Sequence, residues 1–428
     1  MNRLTATQTL FRTSLVLTLL LISPFNSVSA EDAFFDALKG GKFDFSANYR
    51  FEHVDDNLAL NQANASTIRS TLGYKTGMFH DFDARLLIQD VRTVGIDDYN
   101  DATGRPNAKT QYAVVADPQD TDYIEGYIGY SGLPNTVIKA GRQLITYRDA
   151  PFHRFIGTVL WRQNWQNHDA VTLTNTSLPD TTFHYAYIWN VNRIFTDEAV
   201  GALANFESNS HLFNIQYSKY PFAKLEGYAY LLDFDNAPAF STNTYGGRIS
   251  GGYPLSNQFK AIYAGEYARQ TDAANNPGNY DVNYWLGEIG GSVAFSGPVN
   301  AVTVKFSYEQ LEGNGTSAFN TILGTNHAYQ GWADRFLITP ANGIEDYYVT
   351  AIVKALGATF IAAYHDLNSD NLGFDYGEEI DLLVTKTFME HYTVGLKYAD
   401  YQADSNINNV GATAADVAKI WAWVSVKF

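Results

Sequence analysis

The chain has 428 residues, with 29 Lys and Arg against 45 Asp and Glu, a formal net charge of −16 and no cysteine. That balance excludes a nucleic-acid binder, which needs clustered cations against phosphate, and the missing thiols exclude a disulfide framework or a Cys-based metal or redox centre. Its 29 Tyr, 27 Phe, 7 Trp and 33 Gly against 3 Met favour strands, because flat rings suit a pleated surface.

The first element is a leader. Arg3 and Arg12 precede an apolar run from Leu15 to Ile22, followed by Pro24 and the small residues Ser27, Val28, Ser29 and Ala30 ahead of Glu31. This is the pattern of a cleavable secretory signal over residues 1–30, with an apolar run too short to anchor in a bilayer of about 30 Å. Cleavage after Ala30 removes two arginines and no acid, which takes the formal charge to −18. Between Glu31 and Phe43 there is room for one short helix, Asp32 to Leu38, and too little chain for a plug domain.

From Phe43 onward the pattern is that of strands. Phe43, Phe45, Ala47, Tyr49 and Phe51 alternate with Asp44, Ser46, Asn48 and Arg50, the period-2 signature of a strand with one apolar face. The alternation returns at Phe183 to Trp189, Phe259 to Tyr267, Val302 to Tyr308 and Tyr392 to Tyr398. Many runs reach nine to twelve residues, enough to cross a membrane at a tilt, whereas soluble strands hold about 5–6. No later stretch reaches the ~18 apolar residues of a membrane helix, so a membrane protein of this sequence is a barrel.

The expected strands are 43–53, 67–76, 82–93, 121–131, 136–146, 168–175, 182–193, 210–219, 223–234, 243–253, 258–270, 281–296, 300–311, 344–355, 358–367, 377–387, 391–402 and 418–428. The fold is therefore all-β, a transmembrane antiparallel up-and-down barrel of eighteen strands, with sixteen as the alternative count, and residues 31–428 form a single domain. Short links near 76–81, 131–135, 175–180, 219–222, 253–257, 296–299, 356–357 and 388–391 alternate with longer polar segments, the longest at 93–120, 147–167 and 312–343. Short periplasmic turns and long extracellular loops give that asymmetry, and an even count puts both termini in the periplasm of a Gram-negative bacterium. The last strand sets Ile420, Ala422, Val424, Val426 and Phe428 against Lys419, Ser425 and Lys427; a terminal amphipathic strand ending in Phe resembles the signal read by the barrel-assembly machinery. The other partners expected are outer-membrane lipid and lipopolysaccharide.

Eighteen strands enclose a wide lumen, so the default function is a pore whose selectivity follows its lining charges. Alternation puts Arg50, Arg69 and Arg85 on the polar faces of their strands; a lipid-facing charge at the midplane costs about 2–4 kcal/mol, so such side chains point inward or lie at an interface. Two readings compete: the arginines guide an anionic solute, or they pair with Glu52, Asp83, Glu125 and Glu226.

The run Gly141-Arg142-Gln143, then Arg154, Gly157, Trp161-Arg162-Gln163-Asn164 and Asp169, with later segments around His327, Gly331, Asp334, Glu379, Asp381 and Lys397-Tyr398-Ala399, resembles the bacterial alginate-export outer-membrane family. The resemblance implies an arginine-lined constriction passing a polyuronate, and it adds Arg142, Arg154 and Arg162 to the pore-lining candidates. A row of guanidinium groups can follow successive carboxylates of such a polymer bidentately. Here arginines concentrate before residue 200, with only Arg248, Arg269 and Arg335 after it.

The leading expectation is thus a passive channel for an anionic solute such as alginate or its oligomers. Its alternative is a general or differently selective porin for small organic anions or oligosaccharides, with Trp421 and Trp423 as stacking surfaces. An outer-membrane hydrolase is the rival from another class, but the chain has neither a G-x-S-x-G elbow nor an HExxH pair. No catalytic residue, cofactor or metal is expected.

Overall fold

The computed structural model describes residues 28–106, 108–279 and 281–428; most of the expected signal, residues 1–27, lies outside the described residues. After helix α1 (Val28–Lys39) come β1 (Lys42–Asp56), β2 (Ala63–Lys75), β3 (Phe82–Asp98), β4 (Asp120–Leu133), β5 (Thr136–Gln143) and β6 (Asn167–Asn175). The next six are β7 (Thr181–Asn192), β8 (Asn205–Tyr220), β9 (Ala223–Leu232), β10 (Thr242–Pro254), β11 (Phe259–Asp272) and β12 (Asp281–Ala294). The last are β13 (Val299–Leu311), β14 (Ile344–Ala355), β15 (Ala358–Asn368), β16 (Asp375–Phe388), β17 (Tyr392–Ala403) and β18 (Val417–Lys427). Each strand pairs antiparallel with its chain neighbours, and β1 also pairs with β18, with Arg50 opposite Trp423. The sheet therefore closes with eighteen strands and leaves no open edge.

The two faces of the wall differ as alternation requires. On β1, Phe43, Phe45 and Tyr49 are exposed on the outside, whereas Arg50 and Glu52 are buried on the inside. Aromatic rings meet across strands in two belts. Near the short-turn rim Phe43 lies 4.6 Å from Tyr74 and Phe82 4.7 Å from Tyr130. Near the other rim Tyr267 lies 4.4 Å from Trp285 and Tyr308 4.9 Å from Tyr347. Between the belts the outer surface carries residues such as Leu86, Ile289, Phe306 and Leu382. An apolar band between aromatic girdles is the surface a bilayer demands.

Helix α1 starts before the expected cleavage point and is longer than the expected Asp32–Leu38. It sits against the short-turn rim, where the Gly77 N–H donates to the Ala37 carbonyl at 2.8 Å and the Phe34 ring meets Phe79 at 5.4 Å. The chain ends at the same rim, where the Phe428 N–H donates to the Phe45 carbonyl at 2.9 Å.

The core lies inside the barrel. Segments 113–118, 144–166 and 312–343 turn into the lumen, and Trp161 stacks on His327 at 4.5 Å and meets Trp421 edge-on at 5.5 Å. Two buried clusters result. One gathers Phe155, Tyr228, Tyr230, Tyr284 and Phe319; the other gathers Phe336, Tyr376, Tyr401 and Trp421. Each fully buried large side chain contributes about 1.5–3 kcal/mol, so the inserted loops are held by packing as well as by charge.

Candidate functional site

Most of the inward arginines clamp loops to the wall. Arg50 pairs with Asp117 of the β3–β4 loop and donates to the Trp161 carbonyl of the β5–β6 loop. Glu52, two residues along the same inner face, lies 3.4 Å from Arg50 and accepts from Arg162 at 3.1 Å. These four charged groups are almost completely buried. Burial alone would raise the Asp117 carboxyl, but Arg50 and Arg162 outweigh it and hold the group below the ordinary carboxylate value.

The same β5–β6 loop is tied to the opposite wall. Arg154 pairs with Glu309 of β13 at 2.9 Å and donates to Gln330 at 2.9 Å. Arg148 reaches Glu226 at 3.0 Å and Glu266 at 2.5 Å. The β13–β14 loop docks onto β16: the Trp332 N–H donates to Asp381 at 3.2 Å and the Ala333 N–H to Glu379 at 2.6 Å. Within it, the His327 ring nitrogen Nδ1 contacts Asp334 at 2.6 Å, while Nε2 faces the Lys397 ammonium at 2.6 Å. Burial, reinforced by Lys397 and Arg162, holds His327 well below the usual histidine value despite Asp334.

The remaining candidates stand apart. Arg85 pairs with Glu125 at 3.1 Å and with Asp44. Arg142 pairs with Asp122 at 2.7 Å and Asp169 at 2.8 Å, over the exposed ring of Tyr123 at 4.2 Å. Arg69 is buried with its guanidinium 3.8 Å from the Trp165 ring, and among the described residues it has no carboxylate partner. The structure thus gathers Arg50 and Arg162 into one cluster, sets Arg69 beside it on Trp165 of the same loop, and leaves Arg85, Arg142 and Arg154 in separate surroundings. Glu52, Glu125 and Glu226 do pair with arginines, whereas Asp83 pairs with Lys75 at 3.0 Å. Trp421 is completely buried and offers no stacking surface.

A second set of charges escaped the arginine-centred reading. In the half of the lumen nearer the short turns, Asp44, Asp83, Glu125 and Glu288 each have a cation, supplied by Arg85, Lys75, Arg85 and Lys305 in turn. Lys139, Lys224, Lys260 and Lys354 face the same space with no ion pair among the described residues. Registers show their orientation: Lys224 shares an inner row with Glu226, Lys260 with Glu266 and Lys354 with Asp346. Alternation could have found them, since Lys260 stands out of phase with Phe259, Ala261 and Tyr263.

No protein-family model matches the sequence, and no curated protein matches it. Solved structures do match. Acinetobacter baumannii OccAB4 superposes with a TM-score of 0.68 at 14% identity over 91% of this chain and 98% of that one. Pseudomonas aeruginosa OccK9 (OpdG) gives 0.71 at 12% identity over 92% and 100%. P. aeruginosa OpdK, solved with vanillate, gives 0.69 at 10% identity over 91% and 99%. At these identities the likeness is one of fold, and it defines the chain as an eighteen-stranded outer-membrane-type β-barrel. These neighbours are Occ and Opd outer-membrane channels, a family different from the alginate exporters. The resemblance to the alginate-export family is thereby corrected: its short motifs, such as Trp161-Arg162-Gln163-Asn164, supply the inner clamp described above, which is structural in this barrel.

Proposed function

We propose that the protein is a passive outer-membrane channel for small organic anions, oriented with the short turns and both chain ends in the periplasm. The observation that carries this reading is the uncompensated set Lys139, Lys224, Lys260 and Lys354 in the short-turn half of the lumen, inside a chain whose formal net charge is −16. Charge of one sign at a water-filled wall sets ion preference more strongly than total charge does. The inserted loops narrow the bore, which favours small solutes over a polymer. The OpdK structure with vanillate supports the solute class, because vanillate is itself a small carboxylate.

Several histidines that could serve a hydrolase have structural partners instead: His327 lies between Asp334 and Lys397, His365 on Asp346 at 2.9 Å, and His184 on Thr174 at 3.1 Å. The test is the reversal potential of the purified barrel in a planar bilayer under a KCl gradient. Anion preference is expected; cation preference would overturn the reading.

A further inference from the structure

Beside the base of the β5–β6 loop, between that loop and the inner face of β5 to β7, lies a cavity of about 150 Å³ that opens into the lumen. Lys139 is its only cation among the described lining residues. The carboxylates that act on Lys139, Glu125 and Asp83, are already held by Arg85 at 3.1 Å and Lys75 at 3.0 Å. The ammonium lies over the Tyr127 ring at 4.7 Å and, among the described residues, has no carboxylate of its own, which leaves it available to an outside anion.

Two further donors line the same space. The Tyr147 hydroxyl is buried with no hydrogen-bond partner among the described residues, a state that costs free energy unless a ligand or water supplies an acceptor. His184 is hydrogen-bonded through Nδ1 to the Thr174 hydroxyl at 3.1 Å. With Thr174 donating, the neutral ring carries its proton on Nε2, which has no hydrogen-bond partner among the described residues. The Tyr147 ring is fixed by His184 at 5.3 Å and by Tyr230 at 6.1 Å, and Val137 and Leu144 add apolar surface.

We infer that this cavity is a binding station for a small monocarboxylate with a planar apolar body, whose carboxylate meets Lys139 and Tyr147. The inference rests on the anion-channel reading. It places a solute beside the inserted loop, away from the arginine clamp, so that a molecule passing the narrow section pauses on Lys139 at the entry to the lysine-rich half.

Benzoate is the probe. Its block of KCl current through single channels is measured for the full-length barrel and for Lys139→Gln, Lys139→Arg and Tyr147→Phe. The expected result is that Lys139→Gln weakens benzoate block at least tenfold and lowers the chloride preference by a much smaller factor, Tyr147→Phe weakens the block several-fold with the chloride preference unchanged, and Lys139→Arg stays within threefold of the parent in both. Benzoate block unaltered in both Lys139→Gln and Tyr147→Phe, in a parent that is anion-selective, overturns the station and leaves the channel standing. Loss of benzoate block in strict proportion to loss of chloride preference also overturns it, since Lys139 would then act only through the general field. A cation-selective parent removes both readings. Should Lys139→Gln fail to give a heat-modifiable barrel, Tyr147→Phe, which removes no charge, decides alone.

Discussion

The Arg162 guanidinium of the β5–β6 loop donates to the Glu52 carboxylate of β1 at 3.1 Å, across 110 positions of sequence. Asp117 completes the arrangement by pairing with Arg50 and lying 3.8 Å from Arg162. Two buried cations and two buried anions from one strand and two loops thus neutralise one another. Such a cluster gains little over an apolar replacement of equal volume, but losing one member is costly because it strands the others.

Asp117→Asn is the sharpest test of that clamp. It leaves Arg50 and Arg162 sharing only Glu52, and about 3–5 kcal/mol of docking energy for the β3–β4 loop should be lost. The hydrogen-bonded wall is untouched, so the barrel should still form. Native-state hydrogen exchange should show residues 113–118 losing protection while the strands keep theirs, and single-channel current should become noisier. An unchanged exchange pattern would show that packing alone holds the loop.

Arg154 and Arg69 should respond in opposite directions to the same substitution. Arg154→Met strands Glu309, which is buried on β13, and should cost about 3–5 kcal/mol. Arg69 has no carboxylate, and its guanidinium lies on Trp165, so Arg69→Met removes a buried unpaired charge and should leave stability within about 1 kcal/mol of the parent or raise it. The midpoint of heat-induced unfolding on gels ranks the two; equal losses at both positions would contradict the assignment.

Legibility in the sequence followed physical reach. The alternation of Tyr392 to Tyr398 and of the last strand placed β17 and β18 to within a residue at each end, since the pattern is enforced residue by residue by lipid on one side and water on the other. It failed at strand ends: β8 begins at Asn205 rather than 210, and β3 runs on to Asp98 rather than 93. There the apolar alternation is interrupted, by Gly95 and Asp97-Asp98 on β3 and by the polar run Glu207-Ser208-Asn209-Ser210 on β8. That Arg50 points inward was readable from its neighbours, but its partner Asp117 was not, because 67 residues separate them and only the inward fold of a loop brings them together. Motif resemblance misled for a related reason, as short runs around Trp161 and Arg162 report local packing rather than solute.

Acidification should loosen the β13–β14 loop through His327. The ring is held well below its ordinary value, so the folded state resists protonation while the undocked loop accepts a proton near pH 6.5. Docking is therefore undiminished above that pH and declines as pH falls below it, by up to about 1.4 kcal/mol per pH unit until the folded ring also titrates. Asp334, held well below the usual carboxylate value by His327, Lys419 and Arg162 against its burial, has the opposite shift type and adds a loss only when pH falls below about 3.8. Protease cutting within 312–343 should rise between pH 6.5 and 4.5, and His327→Gln should flatten that rise. A profile that is flat in the parent would rule out His327 as the sensor.

The lysines of the short-turn half offer the most direct link from structure to selectivity. Lys224, Lys260 and Lys354 are exposed to the lumen, and none has an ion pair among the described residues. Each should contribute modestly, because exposed charges are screened over about 8 Å at physiological salt. Replacing all three by Gln removes them without disturbing any salt bridge, so folding and the heat-modification midpoint should stay as in the parent. The reversal potential in a KCl gradient should move toward zero, and the shift should be larger at 0.01 M salt, where the screening length is about 30 Å, than at 1 M. An unshifted reversal potential in the triple variant would mean that the ion preference is set higher in the bore, among Arg69 and the clamped loops.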